Sequence, residues 1–146
     1  MEHDVNQLLL NYRGCALSWE RREIPGEIRA GDRAPDAFCR HNGKSCRLFD
    51  IFRGPHFTLL AFGEKSAEIV TDINGERGAD VHAFSVENSE TSESGNRLSD
   101  IDGDIRDGYG VHGNAIVLIR PDGYIGYCSD ETNSAGVHEY LKMVLS

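Results

Sequence analysis

Four cysteines, Cys15, Cys39, Cys46 and Cys128, are the side chains of this 146-residue chain best suited to covalent chemistry. A thiol becomes a nucleophile where a helix N-terminus or a nearby cation favours its thiolate. Cys39 and Cys46 are the redox candidates. If 38–40 is a strand and the chain turns at 44–45 into a helix starting at 46, the two thiols approach one another. Packed, inert thiols account for the same residues. No further pair stands at zinc-ligand spacing, and nothing beside Cys15 or Cys128 points to activation.

Other patterns are weaker. Gly108-Tyr109-Gly110-Val111-His112-Gly113 matches the dinucleotide fingerprint letter by letter. That fingerprint must follow a strand and open a helix, so that the helix N-terminus meets a pyrophosphate. Here it precedes a strand, which makes it a structural loop. Asp100, Asp102 and Asp104 resemble the start of a calcium loop, but Ile105 and Val111 occupy the places that need glycine and glutamate. A solvated acidic turn is the better account. The six histidines form neither H-x-H nor H-E-x-x-H, so no metal site is expected. Nucleophile-elbow and Walker patterns are missing.

The formal charge of −9 sets the chain against nucleic acid and anionic membranes as partners. Hydrophobic residues make up 39% and charged residues 27%, the balance of a globular domain. The opening MEHDVNQLLLNY is acidic, with a short apolar run. It reads as neither a leader nor an anchor, so a cytoplasmic location is the expectation.

The elements that must position these residues follow from period and turn chemistry. Residues 1–30 form an irregular N-terminal segment, in which Leu8–Leu10 with Tyr12 fit a strand or a short helix. Residues 25–36 are extended and rich in turns. CRLFDIFRG (46–54) puts Leu48, Ile51 and Phe52 on one face of a short helix stopped by Gly54-Pro55. FTLLAF (57–62) is a strand buried on both faces. EKSAEIVTDIN (64–74) is a helix with Ala67, Ile69, Val70 and Ile73 inward, ended by Asn74-Gly75. VHAFSV (81–86) is a strand. A long polar loop follows, with a helical turn near 100–107. NAIVLI (114–119) is a strand, Pro121-Asp122-Gly123 a hairpin turn, and 124–128 the returning strand. Ser134 caps a final helix with Val137, Tyr140, Leu141 and Val144 on one face.

Strands separated by helices imply parallel pairing, and the hairpin adds one antiparallel edge. The resulting fold class is α/β and thioredoxin-like: a central mixed sheet of about four to five strands with helices on both faces, spanning 31–146. In that fold the reactive cysteine sits at the strand-to-helix corner. Here the corner reads Gly63-Glu64-Lys65-Ser66. The cis-proline expected before the facing strand is replaced by His112-Gly113-Asn114.

Two stretches resemble a known family. Ala30-Gly31-Asp32-Arg33-Ala34-Pro35-Asp36-Ala37 and Leu118-Ile119-Arg120-Pro121-Asp122-Gly123-Tyr124-Ile125-Gly126, with Arg47–Asp50 and Gly54–Leu60 between them, are similar to the C-terminal thioredoxin-like domain of FAD-dependent aromatic hydroxylases. These are the phenol-hydroxylase-type, class A flavoprotein monooxygenases. The resemblance implies a domain without redox chemistry of its own that serves packing or subunit contacts. It implies no cofactor in this chain, FAD belonging to a region or partner outside it. Its partners would then be a flavoprotein hydroxylase or a second copy of itself. The competing reading is a thiol-dependent enzyme of peroxiredoxin or thioredoxin type using Cys39 and Cys46.

Overall fold

The computed structural model describes residues 18–22, 28–41, 43–87, 96–100 and 102–145. The apolar run at 8–12, His3, Cys15 and the acidic loop at 88–95 lie outside the described residues. The elements, in chain order, are β1 (Trp19–Arg21), β2 (Phe38–His41), β3 (Lys44–Arg47), α1 (Leu48–Phe52), β4 (Phe57–Phe62), α2 (Ser66–Arg77), β5 (Val81–Glu87), β6 (Arg97–Ser99), α3 (Asp104–Tyr109), β7 (Ala115–Ile119), β8 (Ile125–Ser129) and α4 (Ala135–Leu145).

The strands form one mixed sheet in the order β1-β8-β7-β4-β5-β6-β2-β3. It has eight strands where about four to five were expected. The additional strands are three or four residues long and largely polar, too short for a period to register. Pairing also departs from the expectation. β4 and β5 are parallel, but β7 runs antiparallel to β4. β8 is not an edge, because β1 adds to it in parallel.

β4 shows why the sheet lies between two helical layers. Leu60 and Phe62 face one side, with Leu48 and Phe52 of α1 and Ile105 and Tyr109 of α3. Leu59 and Ala61 face the other, with Ile69, Val70 and Ile73 of α2 and Val137, Tyr140 and Leu141 of α4. Successive strand residues point to opposite faces, so a strand covered on both sides must be apolar throughout.

Two helix boundaries differ from the sequence expectation. Cys46 is in β3, and helix α1 begins only at Leu48, whose N–H is taken by Ala37 O at 3.0 Å. α2 runs through Asn74-Gly75 to Arg77. The Asn74 amide accepts from Ala83 N and donates to Ala83 O, both at 3.1 Å, supplying β5 with the partner that short β6 leaves out. Within α2, Ser66 is buried and Ala67 exposed, the reverse of the expected facing at that turn. Among the described residues no helix is long and apolar enough to cross a membrane.

Candidate functional site

The corner from β4 into α2 is where this fold would present a thiol. Gly63 has φ +104°, a conformation that side-chain-bearing residues rarely adopt. A Cβ at Gly63 would lie 2.9 Å from Asn114 Cγ and 3.0 Å from Asn114 Cα, and closer still to the amide oxygen. At Gly63 itself the backbone and Asn114 leave no place for a side chain, while Glu64 and Lys65 beside it are exposed. Ser66, at the start of α2, is buried, and its hydroxyl shares a 2.7 Å hydrogen bond with Ser85 Oγ. A groove over the corner is lined by Glu64, Ser66, Val86, Glu87, Arg97 and Arg106. Arg97 is paired with Glu87 at 3.3 Å, so opposite charges meet there. The described chain contains no cis peptide bond, and the segment before β7 keeps the His112-Gly113-Asn114 sequence in trans.

The candidate thiols are brought together, though by a different route from the one expected. β2 and β3 form a hairpin in which Cys39 stands directly opposite Cys46. Their Sγ atoms are 3.1 Å apart. Cys39 is 5% exposed, Cys46 half-buried, and both are free thiols. Burial, followed by the contact with Cys46, pushes the Cys39 thiol well above its ordinary range. Neither residue sits at a helix N-terminus, the placement that activates a thiol. Cys128 is buried in β8, where desolvation also holds it protonated.

The glycine-rich loop is architectural. Tyr109 is buried, and its hydroxyl donates to Pro35 O at 2.6 Å. Asp100 is buried as well. Its two carboxylate oxygens accept from Ile105 N at 2.9 Å and Arg106 N at 3.1 Å, capping α3. One member of the acidic triplet is therefore a helix cap, while Asp102 and Asp104 are exposed.

One cluster escaped the sequence reading. Asp72 and Glu76 on α2 meet His138 on α4, with ligand atoms within 4.8 Å of one another. The i, i+4 carboxylates were visible as a pair, but only tertiary packing brings His138 to them. His138 Nε2 lies 2.9 Å from Asp72 and 3.3 Å from Glu76, and Arg77 Nε donates to His138 Nδ1 at 3.5 Å. Ser134 also donates to Asp72. Those bonds, Ser134 first and His138 second, hold the Asp72 carboxyl below its ordinary value. The cluster ties α2 to α4. The Ser134 hydroxyl is thus engaged with Asp72, and it is Asn133 Oδ1 that accepts from Ala135 N at 3.0 Å.

The two stretches that carry the family resemblance meet in space. Gly31 N donates to Ile125 O at 2.7 Å, Ile125 N to Asp32 O at 2.8 Å, and Ala34 N to Gly123 O at 2.8 Å. They close the hairpin against the N-terminal segment. Two apolar grooves flank the 121–123 turn, one lined by Ala34, Phe49 and Phe52, the other by Phe57, Tyr140 and Leu145. Phe38, Phe49, Met143 and Leu145 are the large exposed apolar residues among those described.

Comparison with known proteins adds four findings. The family described as "Aromatic-ring hydroxylase, C-terminal" matches residues 27–146. A flavin-dependent monooxygenase of Mycobacteroides abscessus is 36% identical over 141 residues, covering 97% of this chain and 23% of the relative. The crystal structure of aklavinone-11 hydroxylase in ternary complex with FAD and aklavinone matches with a TM-score of 0.67 at 24% identity, over 97% of this chain and 28% of that one. The thioredoxin domain of a thiol-disulfide oxidoreductase from Bacteroides vulgatus matches with a TM-score of 0.62 at 16% identity, over 82% of this chain and 100% of that one. This chain spans about a quarter of the length of the monooxygenases it matches.

Proposed function

Because the chain belongs to the aromatic-ring hydroxylase C-terminal family, we propose that it is a non-catalytic thioredoxin-like module that docks on the flavin-binding region of an aromatic hydroxylase. The observation that carries this reading is the corner from β4 into α2, which holds Gly63-Glu64-Lys65-Ser66 and no thiol. At Gly63 the backbone conformation and Asn114 exclude a side chain, and Ser66 at the start of α2 is buried against Ser85. A redox enzyme of this fold needs a thiol at that helix N-terminus. Residues 31–146 are the body of the module, and β1 adds an edge strand to it.

Contact with the flavoprotein would run along the 121–123 turn. The grooves on either side of it have cavity volumes of about 370 Å³ each, and exposed Phe49 and Leu145 stand at them. Contiguous apolar surface of this kind marks an interaction face. FAD and the aromatic substrate would belong to the partner region.

The test is association. The flavin-binding portion of the Mycobacteroides relative, lacking its own matching segment, is titrated with this chain by analytical ultracentrifugation. Binding is expected, and Phe49→Asp with Leu145→Asp should weaken it more than about tenfold, as loss of a central anchor does. Stoichiometric FAD bound to the isolated chain, or peroxide turnover by it, would sink the proposal.

A further inference from the structure

The β2–β3 hairpin holds a dithiol that no part of the docking role requires. We propose that Cys39 and Cys46 are a redox modification site, closing to a reversible disulfide when the chain meets a low-molecular-weight disulfide such as oxidised glutathione.

The geometry is already close to the product. The two residues are direct cross-strand partners. Directly opposed residues in an antiparallel pair have Cα atoms about 4.5–5.5 Å apart, inside the range of about 4.4–6.8 Å that a disulfide spans. The sulfurs, at 3.1 Å, need only about 1 Å of closure to reach bonding distance. β3 ends the sheet, so that movement displaces no further strand. The hairpin turn carries Gly43 at φ +79°, with open space around it.

Exposure sets the order of events. Cys46 is half-buried and the more accessible of the two, whereas Cys39 is buried. The Cys46 thiolate attacks one sulfur of glutathione disulfide, forming a mixed disulfide and releasing one glutathione thiolate. Cys39 then loses its proton to solvent and attacks the Cys46 sulfur, and the second glutathione leaves. Two protein thiols are oxidised to one disulfide. One glutathione disulfide is reduced to two thiols, which take up the two protons. With neither sulfur at a helix N-terminus, the step is a slow stoichiometric switch and not turnover.

The bond would staple the hairpin that presents Phe38, which is 63% exposed, and Arg47, whose guanidinium lies 5.5 Å over the Phe38 ring. Any effect on docking rests on the reading in the preceding section; the disulfide itself does not.

The experiment uses the full chain carrying Cys15→Ser, incubated folded with excess glutathione disulfide, quenched in acid and analysed by intact mass and peptide mapping. The expected result is loss of two hydrogens, a Cys39–Cys46 crosslink, and full recovery with dithiothreitol. Cys39→Ser should stop at a glutathione adduct on Cys46, and Cys46→Ser should stay reduced. The proposal is overturned if the parent chain keeps its thiols under conditions that oxidise the urea-unfolded chain. It is also overturned if the parent halts at the Cys46 adduct, or if the mapped crosslink joins another cysteine. These readouts do not depend on any flavoprotein, so failure here leaves the docking reading untouched.

Discussion

Replacing Gly63 with alanine tests whether that position of the corner is closed to side chains. Two costs act at this position. The backbone sits at φ +104°, and holding a residue with a Cβ in such a sparsely populated region costs about 1–3 kcal/mol. The new methyl would also press on Asn114, 2.9 Å from Cγ and 3.0 Å from Cα, and overpacking costs about 1–3 kcal/mol. Asn114 is exposed, so its amide can swing aside and recover part of the second cost, but its Cα stays. The expected sum is about 2–4 kcal/mol. For a domain of this size each kcal/mol lowers Tm by about 2–4 °C. The assay is equilibrium urea unfolding followed by far-UV circular dichroism, for Gly63→Ala, Asn114→Ala and the double variant. The cycle separates the costs: coupling between the sites reports the clash with the Asn114 amide, and what survives in the Asn114→Ala background is backbone strain together with the contact to the residue-114 Cα. A cost for Gly63→Ala below about 0.5 kcal/mol, the scale of a neutral surface change, would refute the reasoning. The Gly63 position would then accept a side chain, and the account of it as sterically closed would fall.

Three further outcomes are expected. Gly75→Ala should stabilise the chain by about 0.5–1 kcal/mol in urea unfolding, because Gly75 is in the body of α2 and a Cβ there meets open space. Asp100→Ala should cost about 2 kcal/mol by the same assay, since it strips a buried cap from the Ile105 and Arg106 N–H groups. His82 stacks on His56 with ring centroids 3.7 Å apart, and burial, then the neighbouring His56, lowers its pKa from 6.5. Protonation is therefore harder in the folded state, and stability should fall as pH drops below 6.5. His82→Gln should make that acid limb shallower in thermal melts taken across the window.

What the sequence made legible was the apolar centre. β4, β5, β7 and β8 announce themselves as short apolar-rich runs bounded by turn signals, and α4 by apolar residues at helical period. The Arg120–Gly123 turn was equally plain, since Gly123 takes φ +88° and Arg120 N and O both bond across it. The edges were hidden. β6 offers only Leu98 to a pattern search, and its pairing is set by β5 beside it. Leu48, Ile51 and Phe52 sit on a true helical face, but that face could not show that Cys46 lies on the strand before it. The closeness of Cys39 and Cys46 was foreseen, yet as a strand turning into a helix and not as a hairpin. Asn74-Gly75 looked like a stop because local propensity says so. A hydrogen-bonding need on β5 overrides it. Asp72, Glu76 and His138 could not be joined on paper, because two helices far apart in the chain supply them.

The placement of β1 has a consequence for how the chain assembles. Trp19–Arg21 pair with Tyr127–Ser129, so this edge joins the first strand to the last. The β2–β3 hairpin and the β4-α2-β5 unit close short loops, which form early, whereas contacts of such wide separation form late. During synthesis β1 leaves the ribosome first and must wait, unpaired, until β8 has followed. Trp19 is the only tryptophan, and it rests on Tyr127 and Tyr140 at centroid distances of 6.4 and 5.3 Å. Its fluorescence is therefore a clock for the last act of folding, and in a refolding trace it should lag the far-UV signal of the helices.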